Sequence, residues 1–281
     1  MTAKPIVAAT DGSEHAVRAV EWAAREAVLR GAPLRIVSVA AMPPRMMLER
    51  ENVADVETVA GVLRDNRDQA LSTAADRAAA AAPGLIIDTD VLTGAPAEAV
   101  VESGAGALML VVGSRGMGAF AALVLGSVSR YAASHAPCPT VVIRDDAASA
   151  HGLVAVGLGD LDSRGAAALT FAFEEAAARK ASLTAVHSVD TAPGLHHSGT
   201  QAAGERLGEL LADWRTKYPE VAVTPTAVHG HPGQVLVDLS ARADLVVIGR
   251  HAPRAGLPGP GAVRNVVLHH APGPIAVVPS A

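Results

Sequence analysis

The stretch Gly113–Ser129, GSRGMGAFAALVLGSVS, brings glycines and hydroxyl side chains together directly after an apolar run, Leu108–Val112. Glycine lets backbone approach a phosphate closely and adopt positive φ. Gly113, Gly116 and Gly118 come first, and Gly126, Ser127 and Ser129 open a helical pattern that runs to His135. A helix start offers unpaired N–H donors and the positive end of the helix dipole. With the serine hydroxyls this composition makes an anion cradle aimed at a phosphate chain. The same residues also suit a glycine-rich turn that merely links strand to helix, and spacing alone does not separate the two readings. Arg115 adds a positive charge to the loop or stands as a solvated loop arginine.

Two better-known phosphate motifs fit poorly. A Walker loop requires Gly-Lys-[Ser/Thr], and the three lysines, Lys4, Lys180 and Lys217, do not follow glycine. A dinucleotide fingerprint belongs after the first strand of its unit, where this chain has Thr10-Asp11-Gly12-Ser13. No His, Asp, Glu or Lys falls within Gly113–Ser129, so the loop carries no group suited to acid–base work. That favours binding over catalysis.

Other reactive types are scattered. The pairs His196-His197 and His269-His270 are adjacent, so their side chains diverge on a strand or helix. His229 and His231 share a spacing that could converge, but His231 precedes a proline. No metal site is expected from them, and Asp160 and Asp162, which could hold Mg²⁺, read as an ordinary polar loop. Cys138 sits between two prolines and reads as inert packing, while Met46-Met47-Leu48 read as core or a small lid.

The elements that position the loop form a repeat. Val111-Val112-Gly113-Ser114-Arg115 returns as Val247-Ile248-Gly249-Arg250-His251, and His135-Ala136-Pro137 as His270-Ala271-Pro272. Thr140–Ile143 returns as Ile275–Val278, and Gly94-Ala95-Pro96 more loosely as Gly230-His231-Pro232. These partners lie 135–136 residues apart and in the same order. Domains of 1–146 and 151–281 follow, joined by the small and polar stretch Asp145–Gly152.

In the first copy, strands are expected at Ile6–Thr10, Leu34–Val39, Ile86–Val91, Leu108–Val112 and Thr140–Ile143, with Ser13 capping a helix that stops at Gly31. A polar excursion with a helical tail fills Met42–Ala82. The second copy repeats the order, with one long helix expected over Ala202–Tyr218. Alternating strands and helices predict an α/β fold with parallel sheets covered on both faces. Ligands in such sheets sit beyond the carboxyl ends of the strands, where the strand order reverses.

The 281 residues, 50% of them apolar, can build two cores of this size. A single cysteine excludes an internal disulfide framework. A net charge of −5 and 2% aromatic residues argue against a nucleic-acid binder. No apolar run approaches a membrane span, and an ordinary strand pattern stands where a leader would be. A soluble cytoplasmic protein is the expectation.

The placement of the glycines after the fourth strand carries a resemblance. Gly113, two residues, Gly116, nine residues, then Gly126-Ser127 match the Gly-x2-Gly-x9-Gly-[Ser/Thr] motif of ATP-binding members of the universal stress protein family. Asp11 matches the aspartate which that family carries at the end of its first strand. The resemblance covers nearly the whole chain as two tandem copies. It implies flavodoxin/Rossmann-like domains, each a five-stranded parallel sheet of order 3-2-1-4-5, with ATP, alone or with Mg²⁺, across the ends of strands one and four. It implies a regulatory stress-response module rather than an enzyme, with the two copies paired as an internal pseudo-dimer and a homodimer as a further step. An adenine-nucleotide hydrolase or transferase of a related fold, or a scaffold without ligand, are the alternatives.

The same resemblance assigns roles. Asp11 faces the ribose hydroxyls or the adenine amine, or else caps the first helix; Ala9 and Thr10 lie beneath the base. Val39 and Ala40 form part of the adenine wall. Gly113, Ser114, Arg115, Gly116, Met117, Gly118 and Ala119 wrap the phosphates, and Gly126, Ser127, Val128 and Ser129 close the cradle. The second copy departs from the motif. Ala252 stands for the second glycine, the spacer to Gly261 is eight residues, Ala262 replaces the hydroxyl residue, and Arg264 takes the place of Ser129. Asp160 or Asp162 would have to substitute for Asp11. Nucleotide binding is therefore expected in the first copy.

Overall fold

The structure, a computed structural model, describes residues 3–40, 53–116, 125–144, 151–159, 161, 165–189, 196–250 and 261–280. The chain divides into two compact units, Met1–Ile143 and Arg144–Ala281.

The first unit runs β1 (Ile6–Ala9), α1 (Glu14–Arg30), β2 (Leu34–Ala40), α2 (Val53–Ala81), β3 (Ile87–Thr93), α3 (Pro96–Ser103), β4 (Met109–Gly113), α4 (Ser127–His135) and β5 (Thr140–Ile143). Its strands are ordered β3-β2-β1-β4-β5, and each neighbouring pair is parallel. β1 and β4 are uninterrupted apolar runs because both their faces are covered; every residue of β4 is buried. β3, at the end of the order, has no fully buried residue: Ile87, Asp90 and Leu92 are half-buried and the rest are exposed. Ser13 caps α1, its Oγ accepting the Ala16 N–H at 3.3 Å. Gly31 ends that helix in the left-handed region (φ 59°), its N–H returning to the last turn.

The second unit repeats the plan: β6 (Leu153–Gly157), α5 (Ala166–Arg179), β7 (Ser182–Val189), α6 (His196–Leu210), α7 (Ala212–Lys217), β8 (Val223–His229), α8 (Pro232–Ser240), β9 (Leu245–Arg250), α9 (Ala262–His270) and β10 (Ile275–Pro279). Its order, β8-β7-β6-β9-β10, is the same 3-2-1-4-5 arrangement, again parallel throughout. Pro225, which cannot donate to a ladder, lies on β8 at the end of this order. Each copy also buries a carboxylate in its first helix and pairs it one turn on: Glu26 with Arg30, Glu175 with Arg179.

The structure refines the sequence reading in two places. The polar excursion of the first copy ends in a helix of 29 residues, far longer than a tail. The single helix expected over Ala202–Tyr218 begins six residues earlier, at His196, and is divided at Leu211, whose fully buried side chain anchors the break.

Candidate functional site

In the first unit the chain leaves β1 toward β2 on one side and pairs β1 with β4 on the other, so the carboxyl ends of β1 and β4 flank the point where strand order reverses. A cavity of about 850 Å³ opens there. Its floor is Ala9, Thr10 and Asp11 from the end of β1 and Ser38, Val39 and Ala40 from the end of β2. Val112, Gly113, Arg115 and Gly116 come from β4 and the turn after it, and Gly126, Ser127, Val128 and Ser129 from the start of α4. Every sequence-selected residue among those described therefore faces this one space, with Ser114 as the exception. Ser114 is buried beneath the loop, its N–H donating to Ile143 O and its carbonyl accepting the Gly126 N–H, each at 2.8 Å. It ties β4, β5 and the start of α4 together. Met117, Gly118 and Ala119 lie outside the described residues.

Asp11 is not the helix cap. Its Oδ1 accepts the Ser13 N–H at 3.0 Å, and Ser13 in turn caps α1. Ser13 Oγ also lies 3.4 Å from the Arg115 carbonyl, so the turn after β1 and the turn after β4 are stitched across the crevice. The Thr10 hydroxyl accepts the Gly12 N–H at 3.2 Å. Ser129 donates its hydroxyl to the Gly113 carbonyl at 2.5 Å and is buried, whereas the Ser127 side chain is exposed at the helix start.

Clearance, not positive φ, is what Gly113 and Gly116 supply. Gly113, Gly116 and Gly126 are absent from the positive-φ residues. A Cβ on Gly113 would stand 2.7 Å from the His15 carbonyl, inside the start of α1. A Cβ on Gly116 would collide with the Asp11 carboxylate. Gly126 has room, its nearest neighbour at 3.5 Å, and serves as a helix N-cap with no side-chain hydrogen bond. The first bond inside α4 is Arg130 N–H to Gly126 O, at 3.0 Å. The N–H groups of Ser127, Val128 and Ser129 therefore have no partner within the helix. These donors, the tight passage at Gly116 and the facing carboxylate fit a phosphate chain on one side and hydroxyl or amine donors on the other.

Sequence reasoning missed the wall that α2 provides. Ala60, Leu63, Arg64 and Arg67 line the cavity at spacings of three, four and seven, one stripe of the helix, and Asn66 joins them. Arg67 is also paired with Asp68 at 2.8 Å. Thr93, Gly94, Pro96 and Val100 close the side beyond β2. The i, i+3, i+4, i+7 pattern was available in the sequence, but nothing local says that this stripe faces the switch point. The cavity holds three arginines, Arg64, Arg67 and Arg115, against one carboxylate, Asp11, among the described lining residues.

The second unit carries different side chains at the end of its first strand. Leu158 N–H donates to Val186 O at 2.8 Å, the same bond that Thr10 N–H makes to Val37 O. Leu158 is thus the counterpart of Thr10, and Gly159 of Asp11. Asp160, Asp162 and the loop 251–260 lie outside the described residues. His231 caps α8, its Nδ1 accepting the Gly233 N–H at 3.2 Å. Among the described residues no group of three His, Cys, Asp or Glu gathers as a metal site, and no helix is long and apolar enough to cross a membrane. Cys138, the chain's single cysteine, is buried.

Comparison with known proteins agrees with this architecture. The model of the universal stress protein family matches twice, over residues 2–144 and 153–279. Universal stress proteins of Mycobacterium tuberculosis and Mycobacterium bovis are each 36% identical over 293 residues, covering 97% of this chain and 96% of theirs. A second universal stress protein of M. tuberculosis is 34% identical over 290 residues, with 97% and 95% covered. The crystal structure of a universal stress protein from Archaeoglobus fulgidus shares the fold end to end, at a TM-score of 0.72 and 17% identity with 100% of both chains covered. With two copies of the family's fold in tandem and relatives matched along their whole length, the chain belongs to the universal stress protein family.

Proposed function

We propose that the first copy binds ATP, alone or as its Mg²⁺ complex, and that the protein is a non-enzymatic regulatory module in a stress response. The observation that carries this reading is the convergence of the Gly113–Gly116 turn, the bare start of α4 and Asp11 on one cavity of about 850 Å³. The phosphates would lie on the N–H groups of Gly116, Ser127, Val128 and Ser129 with the Ser127 hydroxyl, and Arg115, Arg64 and Arg67 would supply counter-charge. Asp11 would accept from ribose or adenine donors, and Ala9, Val39, Ala40 and Val100 would hold the base by apolar contact. Arginines and backbone amides hold a phosphate chain but do not take a proton from water, and Asp11 is already engaged by Ser13. That supports binding without turnover. Pairing of the two copies as an internal pseudo-dimer is supported by the tandem family match, and a homodimer and a cytoplasmic location belong to the same reading.

The test is mass spectrometry of nucleotide released from the purified chain, paired with an assay of ATP turnover. Stoichiometric release of intact ATP, with turnover no faster than nucleotide exchange, is expected. Release of no adenine nucleotide, with no binding of added ATP, would overturn the reading; rapid phosphate production would replace it with an enzyme.

A further inference from the structure

Ser13 is where the two halves of the first crevice meet. Its N–H donates to Asp11 Oδ1 at 3.0 Å, and its Oγ accepts the Ala16 N–H at 3.3 Å. Its hydroxyl donates to the Arg115 carbonyl at 3.4 Å, 102 positions away in sequence. Its own carbonyl accepts the Val17 N–H at 2.9 Å. One half-buried serine thus starts α1 and joins the turn after β1 to the turn after β4.

The sheet itself does not reach these turns. The register of β1 on β4 runs Ile6↔Met109, Val7↔Leu110 and Ala8↔Val111 and ends there. Asp11, the acceptor for the nucleoside, and Gly116, part of the phosphate cradle, both lie past that end. They still meet so closely that a Cβ on Gly116 would enter the space of the Asp11 carboxylate. The start of α1 reaches the β4 turn because Gly113 has no side chain: a Cβ there would stand 2.7 Å from the His15 carbonyl. A hydroxyl suits this junction because it accepts from the helix and donates across the crevice at once, which an ionised carboxylate cap does not. The second copy, which departs from the glycine motif, starts its first helix on Gly165 with no side-chain cap bond.

Resting on the ATP reading of this crevice, we propose that Ser13 is a positioning residue for the nucleotide. Its hydroxyl fixes the distance between the nucleoside acceptor Asp11 and the phosphate cradle at Arg115 and Gly116. A ligand that spans both halves finds them preset, so the cost of ordering them falls on folding rather than on binding. A ligand that uses one half gains little from the bridge.

Calorimetry of the full chain with ATP and with adenosine, beside chemical denaturation, tests this in three variants. Ser13→Gly and Ser13→Ala both delete the hydroxyl and keep the backbone N–H that Asp11 accepts. Glycine caps a helix nearly as well as serine and alanine does so worse, so the two variants should differ in stability. Their loss of ATP affinity should nonetheless be the same, about 3–10-fold, as expected for one neutral hydrogen bond. Adenosine affinity should stay near the parent's in both. Ser13→Thr, which keeps the hydroxyl, should bind ATP like the parent. Unchanged ATP affinity in the two hydroxyl-free variants overturns the proposal. So does an affinity that follows stability, an equal loss for ATP and adenosine, or a threonine that does not restore binding. A parent chain that binds no ATP fails the ATP reading itself; a parent that binds ATP while its hydroxyl-free variants match it fails the positioning role alone.

Discussion

Ser127 and Gly116 touch the proposed phosphate path in different ways. Ser127→Ala deletes one hydroxyl at the bare start of α4, a bond to charge of roughly 1.5–3 kcal/mol, so ATP affinity should fall about 10–100-fold by calorimetry. Gly116→Val should do more harm, because its side chain would enter the space of the Asp11 carboxylate and block the cradle at once. If both variants stay folded and bind ATP like the parent, the cradle assignment is wrong. Asp11→Ala should weaken ATP binding while lowering the melting temperature only slightly, since Ser13, not Asp11, caps α1. Gly113 answers to stability instead. Gly113→Ala forces a methyl against the His15 backbone and should cost roughly 1–3 kcal/mol in chemical denaturation, as overpacking does. Gly126→Ala has space and should cost less than about 1 kcal/mol, the loss of a modest N-cap residue.

At the scale of elements, the two copies solve one packing problem with different residues. Leu236 of α8 lies against Gly157 at the end of β6, its Cδ1 2.8 Å from where a Cβ would be. The first copy has Ala9 and Val100 at the corresponding places, so the carbon lost from one side is gained on the other. Gly157→Ala alone should destabilise by roughly 1–3 kcal/mol. Adding Leu236→Val should recover part of that loss, giving a coupling well away from zero in a double-mutant cycle. Additive losses would show that the two residues do not share the space. The α2 stripe makes a further prediction. Arg64→Ala with Arg67→Ala should lower ATP affinity about 3–30-fold at low salt and less at high salt, because exposed charges are screened. Adenosine, lacking phosphates, should bind the parent and this variant alike.

For the whole molecule, one tightly bound ATP per chain is expected, because only the first copy joins an acidic residue after its first strand to an intact glycine loop. Two equal, tight sites in calorimetry, or ATP bound beside Gly249 alone, would contradict this. Much of the fold was legible beforehand. The 135-residue repeat, continuous apolar strands such as Val111-Val112 and their counterpart Val247-Ile248, and capped helices such as that after Ser13 are local properties, readable because strand burial and helix capping leave period and composition in the chain. The glycine spacing after the fourth strand likewise identified which turn faces the crevice. Other features were settled only when distant segments met. Nothing near Ala60, Leu63, Arg64 and Arg67 announces that this stripe walls the cavity, because that depends on how α2 packs against α1, β2 and β3. The need for glycine at 113 and 116 lies in the His15 backbone and the Asp11 carboxylate, about a hundred residues away in sequence.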